Sequence, residues 1–202
     1  PGRSLEYESS QGMTARHTSA ALNDHISQYG INASAYSYVE LYEIPSETVQ
    51  FNLKGDNFTP ARIDIDMSSG NIQALVNQIN TYSESTGIFA SKSASNALVL
   101  EQRAGNDINI EAVSISGSGS IKVRQLDQYG EVINSPQNTA SPAPEISTGK
   151  YAIVGGQIQL TSPSYFDLSK SGAPITVAQS EFASGFIKRT FEPDKSSTSY
   201  SF

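Results

Sequence analysis

Residues 68–110 read SSGNIQALVNQINTYSESTGIFASKSASNALVLEQRAGNDINI, and two hydrophobic periods follow each other within them. Ile72, Leu75, Val76 and Ile79 stand at i, i+3, i+4 and i+7, which lines one face of a helix of about three turns. Ser68 or Ser69 is placed to cap its first turn by accepting an orphan backbone N–H, and Gly87 lies past its end, where the chain turns back. After Gly87 the period falls to two, with Ile88 and Ala90, then Leu98 and Leu100, alternating with polar neighbours. The stretch therefore predicts one helix lying against a sheet.

Upstream the pattern recurs. Ser19 is a plausible cap, and Ala21, Leu22, His25, Ile26 and Tyr29 follow helical spacing to Gly30. Gly30-Ile31-Asn32-Ala33-Ser34 then matches Gly87-Ile88-Phe89-Ala90-Ser91 at four of five positions. A helix precedes and an alternating strand follows in both places, so the chain is read as carrying an internal repeat. From the last helical Ile to the Gly the spacing is four residues in one copy (Ile26 to Gly30) and eight in the other (Ile79 to Gly87). That difference implies a longer connection in the second copy, which closure entropy tolerates.

Between the copies Tyr36, Tyr38, Val39 and Leu41 form a strand ending by Pro45. Val49, Phe51 and Leu53, then Ile63, Ile65 and Met67, make a hairpin around the turn Lys54-Gly55-Asp56-Asn57. The expected unit is β-β-α-β-β. Past Val113 the helical signal stops, and Ile115-Ser-Gly-Ser-Gly-Ser-Ile121 reads as a hairpin tip between Ile108/Ile110 and Ile121/Val123. A Pro/Ser-rich loop occupies 134–150. Short strands at 151–154, 157–160, 175–177 and 186–187 follow, and the tail from Glu192 is polar. Leu5 and Tyr7 suggest an edge strand in 1–17. The predicted class is β-rich α+β, with two helix-on-sheet units in 1–114 and a mostly antiparallel β subdomain in 115–202.

The run Ala74-Leu75-Val76-Asn77-Gln78-Ile79-Asn80, then Thr86-Gly87-Ile88-Phe89-Ala90-Ser91, Ala97-Leu98-Val99-Leu100 and Gly105-Asn106-Asp107-Ile108-Asn109-Ile110, resembles the IN motif of bacterial flagellins. A related motif occurs in hook-associated and filament-cap proteins. The match covers about 45 residues directly, in the order helix, Thr-Gly-Ile, Ala-Leu-x-Leu, Gly-x-Asp-Ile. In flagellins the motif lies in the variable, outward-facing part of the subunit, which often carries tandem copies. The resemblance implies an extracellular structural domain on the flagellar filament that supports motility and sets surface and antigenic properties. Its partners would be other flagellin subunits, engaged through long terminal helices that this sequence lacks. The segment itself is expected to be monomeric, and Pro1-Gly2-Arg3 reads as the start of an excised piece.

Composition narrows the alternatives. Twenty acidic against thirteen basic residues, a net charge of −7, disfavour nucleic acid as a partner, because phosphate binding needs clustered Lys and Arg. No apolar run approaches the roughly 18 residues of a membrane span. The absence of cysteine excludes disulfides, thiol catalysis and Cys-ligated zinc.

Candidate chemistry is sparse. His17 and His25 are the only histidines; Asp24 adjoins the second, but no placed nucleophile or Gly-x-Ser-x-Gly elbow accompanies them. His-Glu-x-x-His is absent, which excludes the zinc-protease domain that some flagellins carry. Asp64 and Asp66 share a strand face, where paired carboxylates or calcium ligands are possible, yet Ser68-Ser69-Gly70-Asn71 lacks the acidic spacing of a calcium loop. No catalytic, cofactor or metal residue is assigned, and the chain is expected not to be an enzyme. Ser/Thr-rich loops at 114–120, 135–148 and 196–199 and the acceptor patterns at Asn32 and Asn57 are compatible with glycosylation and equally with plain solvation. The second function class is a secreted or surface carbohydrate-binding module using exposed Tyr and Asn.

Overall fold

The computed structural model describes residues 13–133, 143–163, 177–182 and 185–189, the last two as backbone only. The expectations for Leu5 and Tyr7, for most of the Pro/Ser-rich loop, for Ser171–Ile175 and for the tail lie outside the described residues. Chain order is α1 (Ala15–Ile26), β1 (Asn32–Tyr42), β2 (Thr48–Lys54), β3 (Ala61–Asp66), α2 (Ile72–Asn80) and the single turn α3 (Ser83–Thr86). Then come β4 (Ile88–Lys92), β5 (Leu98–Gln102), β6 (Ile108–Ile115), β7 (Ile121–Leu126) and β8 (Glu145–Ile146). β9 (Ala152–Val154), β10 (Gln157–Thr161), β11 (Val177–Phe182) and β12 (Gly185–Arg189) complete it.

All described strand pairings are antiparallel and form two sheets. The first runs β4-β5-β1-β7-β8, with β10 beside the first half of β1; the second runs β12-β11-β9-β6-β2-β3. The class is α+β and β-rich, as the periodicities imply. Alternation decides which side faces in: Val49, Phe51 and Leu53 on β2 and Ile108 and Ile110 on β6 meet Val39, Leu41, Leu98, Leu100 and Val123 of the other sheet in one core. Buried Ile72, Leu75, Val76 and Ile79 of α2 join that core, so the helical stripe in the opening stretch is its apolar face.

The two copies superpose in the sequence without a gap. Thr14 accepts the His17 N–H at the start of α1, and Asn71 accepts the Ala74 N–H at the start of α2. Gly30 and Gly87 end the two helical segments in the left-handed region, at φ 74° and 66°, where glycine is the least costly residue. Thr14 and Asn71, His17 and Ala74, and Gly30 and Gly87 are each 57 residues apart. The caps are therefore Thr14 and Asn71, not Ser19 and Ser68 or Ser69. Ser19 is buried one turn inside α1, its hydroxyl donating to the Arg16 carbonyl, and the Ser68 N–H donates to Asp66 Oδ1 in a turn before α2. The unequal Ile-to-Gly spacing has a simple cause: Leu22, rather than Ile26, occupies the position of Ile79.

A mutual clip is the strongest sign of duplication. The Asn23 side chain donates to the Ala33 carbonyl and accepts the Ala33 N–H, both at 2.7 Å. Asn80 does the same to Ala90, at 3.0 and 2.7 Å. The strand partners also correspond, since Ala90 faces Leu100 of β5 and Ala33 faces Leu160 of β10. The second unit is thus inserted in the chain between the two strands of the first. The 114/115 boundary expected between subdomains falls within β6, and β7 and β10 both pair with β1.

The expected hairpin around 115–121 is not formed. β6 lies in the second sheet and β7 in the first, so Ser116–Ser120 cross between layers. Glu47 and Thr48 hold the crossing segment: Gly117 N–H donates to Glu47 Oε2 at 3.0 Å, and Ser116 and Thr48 exchange two hydrogen bonds. Once β1 has an open edge beyond its fifth residue, β7 pairs there and not with β6.

Candidate functional site

The outer face of the first sheet carries a connected array of aromatic and charged side chains. On β1 the odd residues point inward and Tyr36, Tyr38, Glu40 and Tyr42 point outward. Register brings Phe89 of β4, Glu101 of β5 and Tyr38 of β1 into one row, and Val99, Glu40 and Arg124 into the next. Tyr38 donates to Glu101 Oε1 at 2.5 Å and meets Tyr36 edge to face, with ring centroids 5.7 Å apart. Tyr36 in turn donates to Gln157 Oε1 at 3.2 Å.

Each cation on this face is already engaged. Arg103 Nε donates to Glu101 Oε1 at 2.8 Å while its guanidinium lies 5.1 Å from the Phe89 ring centre. Arg124 pairs with buried Glu40 and covers Tyr42 at 4.6 Å, and Lys122 meets Glu43 at 2.5 Å. Burial, together with the carboxylate of Glu101 at its hydroxyl, pushes the Tyr38 pKa up to about 12. For Glu101, burial works upward, but the hydrogen bonds from Arg103 and Tyr38 outweigh it and hold the carboxyl below its ordinary value. Among the described residues the charged side chains named on this face are engaged with one another.

A second polar node ties the corner of the repeat unit. Asp56 Oδ1 accepts from Gln102 Nε2 at 2.8 Å and from Asn106 Nδ2, while buried Gln102 accepts the N–H groups of Ala104 and Asn106 at its other end. Gly105 turns there at φ 75°, against Ala35 and Tyr36, so a methyl group would collide with β1. Its carbonyl accepts the Arg16 N–H and docks the start of α1. All these groups serve each other, which makes the node structural.

The residues weighed for chemistry are dispersed. His17 shares a 2.9 Å hydrogen bond with its capping Thr14, and His25 lies two turns further along α1 near its end, with its carbonyl accepting from Gln28. Asp64 accepts from Gln50 at 3.0 Å and faces Arg62 at 3.7 Å; Asp66 is occupied by the Ser68 N–H, whose hydrogen bonds lower its pKa. Among the described residues no group of three or more His, Cys, Asp or Glu side chains converges on a common point. No described helix is long and apolar enough to cross a membrane. Asn57 of one acceptor pattern is locked, with Oδ1 on the Gly55 N–H and Nδ2 on the Thr59 carbonyl at 2.6 Å.

Sequence reasoning missed Asn23, Asn80 and Gln78, because an amide on a helix face carries no period. The signal that finds them is the ten-residue separation from clip to clipped alanine, repeated in both copies. No family model and no curated protein matches the chain.

Proposed function

We propose that this chain is the outward-facing structural domain of a bacterial flagellin, projecting from the filament surface. The observation that carries the reading is the duplicated unit. The residues that resemble the flagellin IN motif coincide with a helix, clip and Gly turn that recur 57 residues apart and lead in both copies into an antiparallel strand pair. Its role is steric and electrostatic: a folded, cysteine-free projection whose net charge of −7 keeps neighbouring copies apart on a crowded surface. The complete reading frame tests this: long amphipathic helices on both sides of the segment support it, and their absence overturns it.

The aromatic outer face of the first sheet favours one second reading, a carbohydrate-binding module. Arg103 and Arg124 already cover the rings of Phe89 and Tyr42, which leaves fewer open faces for a sugar to stack on. A glycan array separates the readings, since a passive projection gives no selective binding.

A further inference from the structure

The first sheet ends at β4, and an exposed edge strand presents free backbone groups on which another strand can add. At the centre of β4 these groups are taken by side chains. Phe89 and Ser91 face β5, while the intervening Ala90 turns its N–H and carbonyl away, and Asn80 binds both. The neighbouring outward N–H, that of Ile88, donates to Thr86 Oγ1 at 3.1 Å. Across the sandwich α2 reaches the other layer too, where Gln78 Nε2 donates to the Asp64 carbonyl of β3, an edge strand of the second sheet, at 3.0 Å. One helix therefore closes edges of both sheets with amide side chains.

We propose that Asn80 holds shut a strand-addition site on β4 whose occupant, once the clip is removed, is β4 of a second copy of this chain. Antiparallel pairing centred on Ala90 is self-complementary, which is the condition for a two-fold contact. It sets Phe89 against Ser91 and Ile88 against Lys92, so no like charges meet across the new seam. The same pairing uses the N–H and carbonyl that Asn80 now occupies. The clip and the second copy are thus alternatives, and the folded chain stays monomeric because the intramolecular partner is always present.

Asn23 provides the matched control. Its clip on Ala33 has the same geometry, but the strand edge beyond it is filled by the Gly105 turn and the start of α1. The whole chain and its Asn80→Ala and Asn23→Ala variants are compared by sedimentation near 0.15 M salt, where the Debye length of about 8 Å screens the net charge. The expected result is self-association at least about tenfold tighter for Asn80→Ala than for the unaltered chain, and no change for Asn23→Ala. A folded Asn80→Ala that sediments like the unaltered chain overturns the proposal, as does equal association of both variants. If Asn80→Ala does not fold, hydrogen exchange on the unaltered chain decides. An Ala90 N–H protected like the core amides of β5 supports the closed edge, and a freely exchanging one overturns it.

Discussion

At the residue scale the clips carry the clearest energetic consequence. Asn23 sits half-buried on α1 beside buried Leu22 and outside any hydrophobic period, yet it satisfies two backbone groups of Ala33. Replacing it by alanine is expected to cost about 1–3 kcal/mol, because the partners are left part-buried and unpaired; urea unfolding measures it. Gln78 likewise has a structural part, since its amide ties α2 to the Asp64 carbonyl of β3. Ala112 has φ 50° at the point where β6 slips register against β2, a left-handed conformation that disfavours a side chain. Ala112→Gly should raise stability by up to about 1 kcal/mol. The Tyr38–Glu101 pair adds a pH signature. Glu101 has a depressed folded value, so its contribution is complete above its ordinary 4.5 and is lost as pH falls through the lowered value. Tyr38 is raised from 10.0 to about 12, so its contribution is lost as pH climbs between those values. Glu101→Gln should flatten the acid limb of a stability–pH curve; an unchanged limb would mean that the pair is not formed.

At the element scale α2 and α1 are unequal copies. Leu75 and Ile79 are fully enclosed in the inter-sheet core, so Leu75→Ala or Ile79→Ala should cost about 2–5 kcal/mol. Leu22 is 9% exposed and belongs to a small separate cluster with Ala15, Ile26, Ile31, Ala33 and Ile158. Leu22→Ala should therefore fall at the low end of that range. Gln73, whose amide reaches only Asn77 on the exposed face, should cost a few tenths of a kcal/mol. These differences follow what the sequence could and could not disclose. The helical stripe of α2, the hairpins β2–β3 and β4–β5 and the long β1 are local patterns, visible as periods of 3.6 and 2. The pairing of β1 with β10 joins residues far apart in the chain, and the split of β6 and β7 between layers depends on which open edge each meets, so neither has a local signature. The polar corner of Asp56, Gln102 and Asn106 was hidden for the same reason: two turn residues and the last residue of β5 become a site only when distant segments meet.

At the scale of the whole molecule two clusters share one strand. β1 runs through both, with Ala33 in the small cluster and Val39 and Leu41 in the large one. Local opening should therefore begin in the first unit, and amides of α1 and β10 should exchange faster than those of α2 and β5. Equal protection would mean that the clusters unfold as one. On the proposed reading, the clipped β4 edge and the net charge of −7 let the chain tolerate crowding by its own copies, as a dense helical array of projections demands. The most direct measurement is electron microscopy of intact cells that make this protein, labelled with antibody fragments raised against the folded segment. The account predicts decoration along the entire length of the flagellar filament. Label absent from the flagella, or confined to the hook or the distal tip, would contradict it.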